Sequence, residues 1–185
     1  LMYFTGLNGK GITILPTHRL VRCHLRFEEA LKKIKDSFHI KKVKTKKELL
    51  KGMGRRLVRD HKFGVYTGKG RYYILTLKNE NILEKAVKAE RSFNWKRLDV
   101  SILHNLILPA IIPSSKIEEE IISYTEDIDR AIESVNNNTC NMAFLLNPTM
   151  IEEVKDIALK GERMPHKSTF FYPKLLSGLV INKFK

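Results

Sequence analysis

Two stretches, residues 11–21 and 161–174, constrain this chain more than any other part of it, because their polar side chains follow neither the period of a helix nor that of a strand. The first reads Gly11-Ile12-Thr13-Ile14-Leu15-Pro16-Thr17-His18-Arg19-Leu20-Val21. The second reads Gly161-Glu162-Arg163-Met164-Pro165-His166-Lys167-Ser168-Thr169-Phe170-Phe171-Tyr172-Pro173-Lys174. Each sets an imidazole, a cation, a hydroxyl and a proline beside an apolar run. Amphipathicity does not account for such groups, so they serve a site or are held by buried partners. Two such segments in one chain are expected to share one site, with Arg19 within a side chain's reach of residues 163–174. Proline after an alternating strand ends ladder pairing, so Pro16 would leave Thr17, His18 and Arg19 at a strand end.

Between these segments the periods are ordinary. Residues 2–6 and 12–16 read as a hairpin around Asn8-Gly9. Residues 26–38 read as a helix striped with Phe27, Leu31, Ile34 and Phe38. Thr45 and Glu48 form a capping box that opens a helix to about residue 59. Residues 62–67 and 71–77 make a second hairpin around Gly68-Lys69-Gly70, and 78–96 reads as a linker with some helix. Asp99 caps a helix stopped by Pro109, 121–124 is a strand, and Asp127 caps a helix ended by Asn136-Asn137-Asn138. Residues 142–146 form a strongly apolar strand, and Thr149 with Glu152 caps a last helix ending at Gly161. This order predicts an α+β fold with a mixed sheet, hairpins in the first half and a βαβ-like unit in the second, with 142–146 as its buried central strand.

Charge divides the chain at the same place. Residues 1–97 hold 25 of the 34 Lys+Arg and 8 of the 20 Asp+Glu, a net +17 against −3 for 98–185. That split suggests a basic subdomain, 1–97, and an acidic-to-neutral one, 98–185, or one continuous domain, with a cationic surface facing an anionic partner. No apolar run approaches the ~20 residues of a membrane span, and no secretory signal opens the chain. Cys23 and Cys140 fit isolated buried thiols of a cytoplasmic protein. The six histidines and two cysteines show no metal-ligand spacing. Leu1 and the strand pattern that follows at once suggest a fragment of a longer protein, whose uncovered sheet edge would take a second copy as a homodimer partner.

The leading reading is binding of a phosphorylated or nucleotide-like small molecule. Arg19, Arg163, Lys167 and Lys174 supply cations for anionic oxygens. Thr17, Ser168, Thr169 and Tyr172 supply hydroxyls, and His18 is the candidate proton carrier. No phosphate loop of the Gly-x-x-x-x-Gly-Lys-Ser/Thr type is present, and neither a reaction nor a cofactor is indicated. One alternative is a nucleic-acid-binding regulator that uses Lys46, Lys47, Lys51, Arg55, Arg56 and Arg59 along one helix. Another is a structural docking domain.

The run from Ile14 to Val21, the tract Leu98-Asp99-Val100-Ser101-Ile102-Leu103-His104, the tract Phe144-Leu145-Leu146-Asn147-Pro148-Thr149 and the closing stretch from Gly161 to Leu175 together resemble the family called domain of unknown function 1015. The closing stretch matches best, with His166 departing where the family pattern has glutamine. The resemblance implies the C-terminal portion of a larger bacterial or archaeal cytosolic protein. It implies an Asp-Gly-His-His-Arg motif upstream, similar to the phosphate-handling motif of the ParB and sulfiredoxin fold, which also hosts free-serine kinases. The catalytic motif would then precede this chain. Some members are labelled helix-turn-helix regulators.

Overall fold

All four residues of β7 (Met142–Leu145) are buried. The computed structural model, which describes residues 6, 11–23, 27–54, 60–88, 90–112 and 121–174, gives the reason. This strand lies inside a six-stranded antiparallel sheet and meets helices on both faces. The sheet is built from β2 (His18–Val21), β3 (Phe38–Val43), β4 (Lys62–Tyr66), β5 (Tyr72–Leu77), β6 (Ile122–Thr125) and β7, in the order β3-β5-β4-β7-β2-β6. Strand alternation sends Val21, Phe63, Val65, Tyr73, Leu75, Met142 and Phe144 to one core. Phe27 and Ala30 of α1 (Phe27–Ile34) and Ile102, Leu103 and Ile107 of α5 (99–111) fill that core from above. Leu20, Ile74, Ala143 and Leu145 face the other core, with Leu49 and Met53 of α2 (Lys46–Met53) and Ala131 and Val135 of α6 (Ile128–Asn136). Gly64 of β4 lets α2 lie close, since a Cβ there would stand 2.6 Å from Met53 Sδ and 3.2 Å from Leu145 Cβ.

The fold class is α+β, as the sequence predicts, and both sheets are antiparallel throughout rather than mixed. The βαβ-like unit is present in a split form. Ile122 of β6 and Met142 of β7 both stand beside Val21, so β6 and β7 run the same way with α6 as their crossover, while β2 runs antiparallel between them. One sheet thus takes strands from both sides of residue 97. Helix caps follow the sequence. Thr45 Oγ1 accepts from the Glu48 amide at 3.1 Å, and Asp127 accepts from the amides of Asp129 and Arg130 at 2.7 and 3.2 Å. The Gly68–Gly70 turn has positive φ at all three residues.

Five local expectations change: the helix predicted to run to about residue 59 ends at Met53, where Gly54 at φ 59° caps it, and four further differences follow. The strand predicted at 2–6 lies outside the described residues, and the described partner of β1 (Thr13–Leu15) is β8 (Phe170–Tyr172), with Ile14 opposite Phe171. The helix predicted over 26–38 stops at Ile34, and Phe38 begins β3. The lysines of β3 hide it, because Lys41 and Lys42 are exposed on an edge strand where apolar residues would invite pairing with another chain. Pro109 does not stop α5. A π turn at Leu103–Ile107 precedes it, and the helix continues to Ile111. A π turn lengthens the hydrogen-bond ring, and so accommodates a residue with no N–H to give. The last helix, α7 (Ile151–Leu159), starts one residue later than the predicted box: Glu153 Oε2 accepts from the Met150 amide at 2.9 Å, and Thr149 turns its hydroxyl to the Ser168 carbonyl at 2.8 Å. Between the halves, 78–96 carries a 3-10 turn (Glu80–Ile82), α3 (Leu83–Ala86) and α4 (Phe93–Lys96).

Candidate functional site

β1 and β8 pair, so the two irregular segments run side by side, and each delivers polar groups to one end of the sheet. Arg19 is the centre of that end. It is fully buried (0% exposed). It donates to the carbonyl of Thr17 and, at 2.9 Å, to the carbonyl of Lys167. Its guanidinium lies 5.5 Å from the ring centre of Tyr124, which sits opposite it on β6. Among the described residues no carboxylate oxygen comes within 4.0 Å of it. Burial draws the Arg19 pKa down to about 10, with the nearby Tyr124 acting in the opposite direction. A buried guanidinium whose partners are neutral carbonyls and a ring is costly, since charge in the interior is normally matched by an opposite charge.

Several polar atoms are buried with no hydrogen-bond partner among the described residues: Thr17 Oγ1, Arg19 Nε and Ser168 Oγ, which the contacts of Arg19 with Thr17 and Lys167 connect, and also His18 Nε2 and the Asn147 amide nitrogen. His18 Nδ1 accepts from the Leu146 amide at 3.2 Å, which assigns the ring hydrogen to Nε2. All five are therefore donors or hydroxyls. For Thr17 Oγ1, Arg19 Nε and Ser168 Oγ the complement is a group rich in acceptors.

The structure divides the predicted site residues. It brings Arg19, Lys167 and Ser168 together: Lys167, at φ 54°, gives its carbonyl to Arg19 and places Nζ 6.0 Å from the Tyr124 ring centre. Thr17 is joined to them through its carbonyl, and Thr169 is half-buried next to Ser168. His18 departs from the expectation. Neighbouring residues of a strand point to opposite faces, so Arg19 shares a face with Val21 and Phe144 while His18 shares one with Leu20. Burial, then repulsion from Arg19, holds the His18 pKa down to about 4, against a weaker upward pull from Asp127. Arg163, Tyr172 and Lys174 are exposed, and no hydrogen bond or ion pair joins them to Arg19. The Arg163 carbonyl accepts from the Trp95 indole at 3.0 Å, and Lys174 Nζ lies 4.3 Å from the Phe170 ring centre. On α2, Lys46 pairs with Asp129, Lys47 and Lys51 are exposed, and Arg55, Arg56 and Arg59 lie outside the described residues.

The imidazole on Arg19's face is His104, carried by the π turn of α5. Burial, then Arg19 and His166, lower its pKa to about 4. The sequence pattern alone does not mark Tyr124, Asn147 or His104 as belonging to this end of the sheet. Pro109, five residues on, was the available signal, because a proline inside a helical pattern points to a broken hydrogen-bond ladder.

A second buried polar cluster was also missed. His61, 1% exposed, has Nδ1 2.7 Å from Asp99 Oδ1 and Nε2 3.1 Å from Glu80 Oε1, and Arg97 reaches the same Glu80 oxygen at 3.4 Å. Cys23 and Cys140 are buried and form no disulfide, and burial raises the Cys140 thiol to about 11. Among the described residues no helix is long and apolar enough to cross a membrane.

These features define an α+β protein with a buried, cation-centred cluster of donors at one sheet end. Residues 1–101 match the family described as "Protein of unknown function (DUF1015)", and the chain belongs to that family. The closing stretch, which the sequence comparison took as the strongest part of the likeness, lies outside the matched residues. A solved structure, a conserved hypothetical protein from Pyrococcus furiosus, is similar over 90% of this chain and 59% of its own length, at 14% identity and a TM-score of 0.48. This chain thus spans less than two thirds of that protein. No curated protein matches.

Proposed function

We propose that the protein binds a phosphorylated or similarly anionic small molecule at Arg19. The observation that supports this reading is the fully buried guanidinium with no carboxylate within 4.0 Å among the described residues, surrounded by unpartnered donors. An anion offers what the protein withholds: a counter-charge and several acceptor oxygens. Fixed donors in a buried setting bind it more strongly than exposed ones would. An apolar cleft of about 510 Å³, lined in part by Ile12, Ile14, Met150, Ile151 and Phe171, lies against the β1–β8 pair. Thr149 lines it and also donates to the Ser168 carbonyl, so the organic part of a ligand would rest there while its charged group meets Arg19. The nucleic-acid reading rests on charge alone, and Lys46 is already paired with Asp129.

Trp95 is the only tryptophan and is bonded to the Arg163 carbonyl, so it reports on the loop that carries Lys167. Titration with inorganic phosphate and AMP, followed by calorimetry and by Trp95 fluorescence, is expected to saturate for the wild-type protein. Arg19→Gln is expected to weaken binding by about 100-fold, the scale of a lost charged hydrogen-bond pair. No calorimetric signal for any phosphorylated probe at millimolar concentration would overturn the reading.

A further inference from the structure

We infer that this site, if it is the anion site proposed above, takes a doubly charged terminal phosphoryl group, that is, a phosphomonoester rather than a phosphodiester or a carboxylate.

Two geometric observations carry this. The first is a pair of cations on one ring: Arg19 lies 5.5 Å and Lys167 6.0 Å from the Tyr124 ring centre, and among the described residues neither has a carboxylate oxygen within 4.0 Å. One negative charge would leave one of the two unmatched, whereas a phosphomonoester near neutral pH carries close to two. The second is the number of donors joined to Arg19. Its own Nε, Thr17 Oγ1 and Ser168 Oγ are buried and unpartnered, and the carbonyls of Thr17 and of Lys167, the residue before Ser168, are the ones Arg19 holds. Three donors match the three terminal oxygens of a monoester. A diester or a carboxylate has only two free oxygens.

The surroundings favour the ligand, rather than the protein, as the source of the charge balance. The groups near Arg19 are Tyr124 from β6, Lys167 from the loop before β8, and His104 from α5, which is close enough to feel both Arg19 and His166. His18, next to Arg19 in β2, faces away towards Asp127. His104 is held neutral well below neutral pH by burial and by the positive charge of Arg19, with a pKa of about 4. It can therefore donate or accept a hydrogen bond without adding a third positive charge.

The probes are methyl phosphate, dimethyl phosphate and acetate, titrated calorimetrically into the full chain. At pH 7.5, methyl phosphate is expected to bind at least about 30-fold more tightly than the other two. Lowering the pH to 5.0 takes methyl phosphate through its second ionisation, near 6, so the ratio to dimethyl phosphate should fall by about tenfold. Lys167→Gln, a change at an exposed residue that should leave the fold intact, is expected to compress the ratio to a few-fold by weakening the monoester alone. Equal affinity for monoester and diester, or a ratio indifferent to Lys167→Gln, would overturn this inference and leave the anion reading standing. Failure of all three probes to bind would overturn both.

Discussion

Two buried histidines show how differently this fold treats its polar groups. His61 stands between two carboxylates, and Arg97 closes on one of them. That cluster ties the residue before β4, the 3-10 turn at 80–82 and the first turn of α5 into one unit. His18, equally buried, has a single backbone amide for a partner, and Arg19 beside it has only carbonyls and a ring. The first cluster sets its donors against carboxylate oxygens of the protein itself. The second contains donors and positive charge in excess of anything the described residues return. A fold tolerates such an imbalance where a ligand restores it, and functional sites commonly cost stability for this reason.

The comparison can be broken most forcefully at Asp99. Asp99→Ala leaves His61 facing one carboxylate instead of two, and is expected to cost on the order of 3 kcal/mol or more in urea unfolding. Its anion titration should not change. A loss below about 1 kcal/mol would deny the His61 cluster its structural role.

Acid should reveal the other cluster. The folded pKa of His18, about 4, lies below its ordinary 6.5. The unfolded chain then binds its proton first, so stability is fully present above pH 6.5 and falls as the pH drops towards 4, by roughly 3 kcal/mol for this ring. His18→Gln should flatten that part of the pH–stability curve. An unchanged slope would mean that the ring is not held neutral by burial.

A smaller effect is expected from Arg19→Gln in the absence of ligand. The substitution loses two hydrogen bonds and also removes an unmatched buried charge, so thermal unfolding should stay within about 1 kcal/mol of wild type while anion binding is lost. A loss as large as that of Asp99→Ala would make Arg19 a structural pin for the 165–168 loop. The smallest effect belongs to Lys46→Ala. Lys46 pairs with Asp129, whose side chain is 79% exposed, and exposed pairs contribute about 0.5 kcal/mol or less. That variant calibrates what an ordinary surface ion pair contributes in this protein.

Much of the fold was legible because its signals are local. The Thr45 and Asp127 caps, the Gly68–Gly70 turn and the apolar run of β7 each depend on residues a few positions apart. β3 was not legible, since an edge strand keeps lysines where a central strand would show apolar residues. The split arrangement of β6, β2 and β7 was not legible either. A parallel pair with a helical crossover looks the same in sequence whether its strands touch or admit a third between them. At the candidate site, the unexplained polar content of 11–21 and 161–174 singled out two segments that the fold sets side by side, with Arg19 reaching the Lys167 carbonyl. It could not separate His18 from Arg19, because the pleat that divides them becomes visible only once the strand's neighbours are known.

The sequence by itself determined the alternation of helices and strands, the caps and turns that bound them, and the two segments whose polar groups required an explanation beyond periodicity. Those properties are set by backbone sterics and by burial patterns that repeat within one element. Tertiary structure alone decided that β1 pairs with β8, that Tyr124 receives two cations, that His104 rather than His18 shares the face of Arg19, and that no described carboxylate neutralises that guanidinium. Each of these depends on which residues distant in sequence become neighbours, and charge compensation in a protein interior is a property of neighbours.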